Sequence, residues 1–167
     1  LKNDGYEISC LEPDTTQSKL IKSNDILVYS NLDEVEDNSL DFIYSLNVLE
    51  HIEDDSTVLK ALKQKLKHDG SILLYLPAFD VLYSSMDKKV GHFRRYDFNK
   101  LTLLASDSKL DINIKSYVDS LGFFVTLLYK LIGNKKGDIN KRSILIYDRV
   151  IFPLSKIFDT LLSQFFG

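Results

Sequence analysis

LDFIYSLNVLEHIEDDSTVLKALKQKLKHDGSILLYLP, Leu40 to Pro77, holds two apolar runs on either side of one amphipathic pattern. Leu40 to Leu46 is almost continuously apolar and predicts a strand. The acidic group Glu53-Asp54-Asp55-Ser56 then caps a helix in which Val58, Leu59, Leu62 and Leu66 recur at helical spacing, with Lys60, Lys63, Gln64 and Lys67 on the other face. That helix is expected to stop at His68-Asp69-Gly70, with Gly70 in the left-handed cap conformation. Ser71 to Leu76 then predicts a strand, ended by Pro77.

The same alternation extends in both directions. Upstream, Glu7 to Leu11 reads as a strand and Pro13-Asp14-Thr15 as a turn, after which Asp14 or Thr15 caps a helix to about Ser23. Asn24-Asp25 turns the chain into a second strand, Ile26 to Tyr29. Downstream, Phe79 to Tyr96 has no clear period and reads as a long loop of the kind that usually carries function. Asp97 starts a helix to about Ser108, Ile112 to Val118 reads as a strand, and Leu121 to Ile132 as a very apolar helix ending in the basic turn Gly133 to Gly137. One last helix places Tyr147, Val150, Ile151, Leu154, Ile157, Phe158, Leu161, Leu162 and Phe165 at three- and four-residue steps. Strands alternating with helices imply parallel pairing through helical crossovers, hence an α/β, doubly wound, mostly parallel sheet covered on both faces.

A chain of 167 residues fits a single domain, 1–167. Within it, 1–79 reads as the ligand-binding part of the sheet, 80–111 as a loop and helix for substrate, and 112–167 as a strand with apolar helices. A formal charge of -3 gives no basic footprint for nucleic acid. The single cysteine, Cys10, lies in an apolar run, so a buried thiol and a reducing, cytoplasmic setting are expected. The longest apolar run, Leu121 to Leu128, is far below the ~18–20 residues that span a bilayer.

In open parallel sheets ligands sit beyond the carboxyl ends of the strands. At the first such end, Glu12 could accept both hydroxyls of a ribose, or could simply be a strand-end or helix-capping charge. At the second, the Asn31 amide could read an adenine edge with Leu32 against its face, or Asn31 could be a plain turn residue. The third end runs Asn47-Val48-Leu49-Glu50-His51, where a histidine beside a glutamate is usually structural.

The segment LDFIYSLNVLEHIEDD, placed before LKHDGSILLYLP and after EISCLEPD, resembles class I S-adenosylmethionine-dependent methyltransferases of the bacterial type 11/23 kind. The resemblance covers Glu7 to Phe79, and GHFRRYDFNKL further on is also similar. It implies a Rossmann-like fold, S-adenosylmethionine as cofactor, and methyl transfer to a small-molecule or lipid-linked acceptor. By the same resemblance Glu12 takes the ribose diol, Asn31 and Leu32 fall where the adenine is held, and Ser45, Leu46 and Asn47 line the cofactor cleft. Glu50 and His51 match the LEH element beside the methyl-transfer site. Some relatives hold a metal with Glu-x-x-Glu-His, but Asn47 occupies the first place here, and no metal is expected. The family's glycine-rich loop would precede Glu12, and only Leu1 to Tyr6 come before the first strand. The chain therefore reads as lacking that loop and as truncated at the N-terminus, and at the C-terminus after Phe165-Phe166-Gly167, with weak cofactor binding and no activity on its own.

Methyl transfer needs mainly alignment, so a sparse site is no objection. For a hydroxyl acceptor a base helps, and His51 and His92 are the candidates. Glu50, Arg94 and Arg95 are candidates for contacting the acceptor, the arginines if it is anionic, with a salt-bridged loop anchor as their alternative role. Tyr96 reads as packing. The apolar helices of the last third are open to several readings: core packing, a lid over an apolar or polyprenyl-type substrate, a homodimer surface, or a peripheral membrane contact beside Lys135 and Lys136. Two other classes also fit parts of the pattern. They are an NAD-linked oxidoreductase, which would use an acid like Glu12, and a degenerate, non-catalytic interaction domain.

Overall fold

The computed structural model describes residues 4–132 and 140–166, so the expected basic turn with Lys135 and Lys136 lies outside the described residues. The chain forms two compact units, one of Leu1–Tyr44 with Thr57–Leu73, the other of Ser45–Ser56 with Leu74–Gly167.

In the first unit, strand β1 (Ser9–Leu11) pairs in parallel with β2 (Leu27–Tyr29), Cys10 opposite Val28, and helix α1 (Thr15–Lys22) makes the crossover between them. Of the two residues expected to cap α1, Asp14 does so: its Oδ1 accepts from the amides of Thr16 and Gln17, both at 2.8 Å. Cys10, expected to be buried, is only half-buried because β1 is short and lightly covered.

Strand β3 occupies Leu40–Leu46 as its apolar run predicts, helix α2 spans Asp55–Lys65, and β4 spans Leu66–Tyr75, pairing with β3. The helix ends and the strand begins earlier than the periodicity suggests. Asn38 and Ser39 donate to the carbonyls of Gln64 and Lys65 at 2.9 and 3.0 Å, so the last turn of α2 spends its carbonyls on the neighbouring strand. Gly70 therefore lies within β4 and has no left-handed conformation. Its role is close approach, since a Cβ there would stand 3.0 Å from the Leu40 carbonyl oxygen. Val28, Val35, Leu59 and Leu66 form the buried apolar core of this unit.

The expected two-sided cover is not complete. Along β3 and β4, Phe42, Tyr44, Leu46, Leu73 and Tyr75 are exposed, while the residues between them are half-buried, the alternation of a sheet with one open face. Among the described residues the strands form two separate two-stranded sheets rather than one continuous sheet. Ile112 to Val118, expected as a strand, forms none. Ile114 is 88% exposed, and Tyr117 donates its amide to the Ser163 carbonyl at the end of a helix instead of to a strand.

In the second unit, helices α3 (Ser85–Val90), α4 (Phe98–Asp107), α5 (Ser120–Ile132), α6 (Lys141–Ile146) and α7 (Phe152–Leu162) follow one another, with Leu49, Leu82, Tyr96 and Ala105 buried among them. Asp97 caps α4 through the Lys100 amide, as expected. The single long C-terminal helix is instead interrupted at Tyr147–Ile151 by a π-helical segment. Pro153 enters just beyond it and has no N–H to continue the ladder, which accounts for the wider turn. Asp159 of α7 receives the amides of Asp119 and Ser120 and the Ser120 hydroxyl, placing a carboxylate at the amino end of α5. No helix among the described residues is long and apolar enough to cross a membrane.

Candidate active site

In the first unit, Glu12 stands at the carboxyl tip of β1, where its amide donates to the Tyr29 carbonyl of β2 at 2.9 Å. Oε1 accepts from the Asp14 amide at 2.9 Å, and this leaves the carboxylate with further acceptor capacity at the edge of a parallel pair. Asn31 and Leu32 follow β2 at the same edge. The Asn31 Oδ1 caps the turn Leu32–Glu34 by accepting from Asp33 and Glu34, and its Nδ2 donates to Glu34 Oε1 at 2.8 Å. Both ends of the Asn31 amide are thus engaged in the turn.

The remaining candidates lie in the second unit. Ser45 and Leu46 end β3, and Asn47 follows with φ of +52°, a conformation asparagine tolerates better than most residues. The Asn47 amide donates to the Tyr75 carbonyl, and its side chain lines a cavity of about 290 Å³ at the carboxyl ends of β3 and β4. Tyr75, Pro77, Tyr96, Tyr117, Asp119 and Phe123 are among its other walls. The aromatic side is closely packed: Phe98 stacks on Tyr117 with ring centroids 4.0 Å apart, and Phe79 lies 4.4 Å from Tyr117. Phe79 itself holds φ of +61°, a strained conformation for a bulky residue, kept in place by that packing. Burial raises the Asp119 carboxyl above the usual carboxylate range, more than the Ser155 hydroxyl and the Gly122 amide lower it. Sequence reading found neither Tyr117 nor Asp119 as a site residue, because Tyr117 falls in a run with strand composition and Asp119 just beyond it, and neither belongs to a motif.

Neither His51 nor His92 lines this cavity. They meet in a separate cluster, ring centroids 4.6 Å apart and nearly perpendicular. A short turn, Leu49–His51, buries Leu49 and Glu50, and the Glu50 carbonyl accepts the Phe93 amide at 2.8 Å, tying the turn to the loop that carries His92. That loop was expected to lack structure, yet it contains α3, whose capping box pairs Ser84 with Asp87. The Ser84-x-x-Asp87 pattern was the available signal. Helix α3 ends at Gly91, with φ of +84°, and the left-handed turn delivers His92 beside His51.

Asp87 is wholly buried and organises the cluster. His92 Nδ1 lies 2.9 Å from Asp87 Oδ1, Arg95 donates Nε to Oδ1 at 2.8 Å and Nη2 to Oδ2 at 3.2 Å, and the Ser84 amide donates to Oδ2. Burial pushes the Asp87 carboxyl up, but the Arg95 hydrogen bonds and charge, with His92 and the Ser84 amide, outweigh it and hold the group below the usual carboxylate range. Arg94 is paired too: Nη1 lies 2.6 Å from Asp55 Oδ2, and Nη2 donates to the Glu53 carbonyl. The Tyr96 hydroxyl donates to the same Asp55 oxygen, and both arginines are thus paired with carboxylates of the chain, Arg94 with Asp55 and Arg95 with Asp87. Glu50, His51 and His92 each offer one ligand atom, and these lie within 4.8 Å of one another.

Residues 1–74 match a family described as a methyltransferase domain. A solved structure of a SAM-dependent methyltransferase from Archaeoglobus fulgidus aligns over 99% of this chain and 74% of its own, at 17% identity and a TM-score of 0.58. The YcgJ protein from Bacillus subtilis aligns over 66% of this chain at 15% identity and a TM-score of 0.55, and the chain spans 56% of that protein's length. No curated protein matches the chain. These likenesses define a Rossmann-like α/β fold of the methyltransferase type. The match to the methyltransferase domain family covers residues 1–74, under half of the chain.

Proposed function

We propose that this chain carries the cofactor-ribose acid and the acceptor pocket of an S-adenosylmethionine-dependent methyltransferase acting on a small, flat, largely apolar acceptor. The observation that carries the reading is Glu12 at the tip of a parallel strand pair, within the segment matched by the methyltransferase family. The cofactor supplies an electrophilic methyl group on sulfonium. Glu12 holds the ribose diol through acceptor capacity that its turn leaves unused. The second unit contributes the cavity bounded by Tyr75, Tyr96, Tyr117 and Phe123, an aromatic enclosure suited to a ring-bearing acceptor, with Asp119 on its wall to orient the acceptor's hydroxyl or amine. Holding the nucleophile in one orientation is the main catalytic demand of a displacement at methyl.

Equilibrium binding of tritiated S-adenosylmethionine and of NAD to the full gene product tests this reading. Saturable S-adenosylmethionine binding that NAD does not displace is expected. Preference for NAD would replace methyl transfer with oxidoreduction, and binding of neither would favour a non-catalytic interaction domain.

A second reading of the acceptor, a lipid-linked molecule, is favoured by the apolar side chains that α5 and α7 leave in solvent. Leu131, Ile132 and Leu161 are 73%, 76% and 78% exposed. Co-sedimentation of the full gene product with phospholipid vesicles, reduced in Leu131→Asp, supports that acceptor class; failure to sediment removes it.

A further inference from the structure

We propose that Glu50, His51 and His92 form a binding site for one divalent transition-metal ion, with Asp87 as the positioning residue that orients His92. The inference stands apart from methyl transfer and does not depend on the cofactor reading.

Glu50 is the first reason. It is wholly buried, and neither of its carboxylate oxygens has a hydrogen-bond partner among the described residues. Buried polar groups are almost always paired, and a carboxyl group without partners in a dry site is costly enough to demand an explanation. The nearest basic atom is His92 Nε2 at 3.9 Å from Oε1, too far for a hydrogen bond. It is close to the separation of two donors sharing one ion, since metal–nitrogen and metal–oxygen bonds of roughly 2.0–2.2 Å set neighbouring donors about 3–3.5 Å apart.

The second reason is the orientation of His92. Its Nδ1 faces Asp87 Oδ1, and Asp87 is itself gripped by Arg95 and the Ser84 amide. A carboxylate held by a guanidinium acts as an acceptor, which assigns the proton of the neutral ring to Nδ1 and leaves the Nε2 lone pair facing Glu50. Carboxylate, histidine and metal in sequence is the usual way a ligating imidazole is fixed. His51, exposed and next to His92, closes the third side.

Two imidazole nitrogens and one carboxylate oxygen suit zinc, cobalt, manganese or iron(II), and do not suit calcium or magnesium, which prefer oxygen. Three protein donors leave coordination positions for water. The expectation of no metal rested on Asn47 in the first place of Glu-x-x-Glu-His. His92, which enters from the α3 loop, supplies the third donor instead.

The test is titration of the metal-free protein with Co²⁺, followed by its visible absorption, with Zn²⁺ and Mg²⁺ as competitors and no cofactor present. One Co²⁺ per chain is expected, displaced by Zn²⁺ and not by Mg²⁺. Glu50→Gln and His51→Ala should each weaken binding by at least ~10-fold, and Asp87→Asn by about 10–100-fold, with circular dichroism confirming that each variant is folded. His51 is exposed, so His51→Ala remains informative even where a buried variant unfolds. Binding weaker than about 1 mM, or equal binding by wild type and folded His51→Ala, overturns the site.

Discussion

Arg95 holds Asp87 through two nitrogens, Nε at 2.8 Å and Nη2 at 3.2 Å, while Asp87 is wholly buried and Arg95 nearly so. The pair fixes one end of α3 and the loop back to Ala78, whose carbonyl accepts Arg95 Nη1. Removing one member leaves the other charged and unpaired in a dry site. Asp87→Ala is therefore expected to cost about 3–5 kcal/mol in urea denaturation, far more than the loss of one exposed ion pair. A loss below about 1 kcal/mol would show that the pair contributes little to the fold.

Asp159 gives a pH-dependent prediction. Burial pushes its carboxyl up, but hydrogen bonds from the Ser120 hydroxyl and from the Ser120 and Asp119 amides outweigh this and lower it. The folded pKa lies below the unfolded one, so its stabilisation is complete above the unfolded value of about 3.9 and is lost as pH falls through the folded value. Asp159→Asn should lower the melting temperature near neutral pH, and the gap to wild type should shrink below about pH 4. A gap independent of pH would assign the effect to packing.

Asn47 turns the chain at the end of β3 with φ of +52°. Asn47→Val is expected to cost about 1–2 kcal/mol in denaturant unfolding, because a β-branched residue resists the left-handed region. Asn47→Gly should be nearly neutral. Equal costs for the two would point to the side chain rather than the backbone.

Gly70 meets the backbone oxygens of Leu40 and Lys67, at 3.0 and 3.1 Å from the place of a Cβ. Backbone atoms yield less than side-chain ends, so Gly70→Ala should cost about 1–3 kcal/mol in urea denaturation with the slope unchanged. An unchanged midpoint would contradict the close approach.

Much of the architecture was legible in the sequence where local chemistry and tertiary context agree. The β3 run ends where its apolar pattern ends, and Asp14 and Asp97 cap the helices they precede. The failures have particular causes. Ile112 to Val118 has strand composition, but its Tyr117 amide goes to Ser163, and composition cannot tell which partner a backbone group will find. Helix α2 stops early because Asn38 and Ser39 claim its carbonyls, a non-local event. Among the candidate residues, Glu12, Asn47, Glu50, His51 and His92 were visible as residue types at strand ends or in a loop. Asp87 was not, since its importance lies in a fold that brings His92 and Arg95 onto one buried carboxylate.

The most direct test of the central claim is calorimetric titration of S-adenosylhomocysteine into the full gene product and into its Glu12→Ala variant. Binding by the wild type, weakened at least ~10-fold by Glu12→Ala, is the expected result, because the loss of charge-assisted hydrogen bonds to both ribose hydroxyls costs more than ~1.4 kcal/mol. Equal binding by both proteins, or binding by neither, would contradict a methyltransferase that holds its cofactor through Glu12.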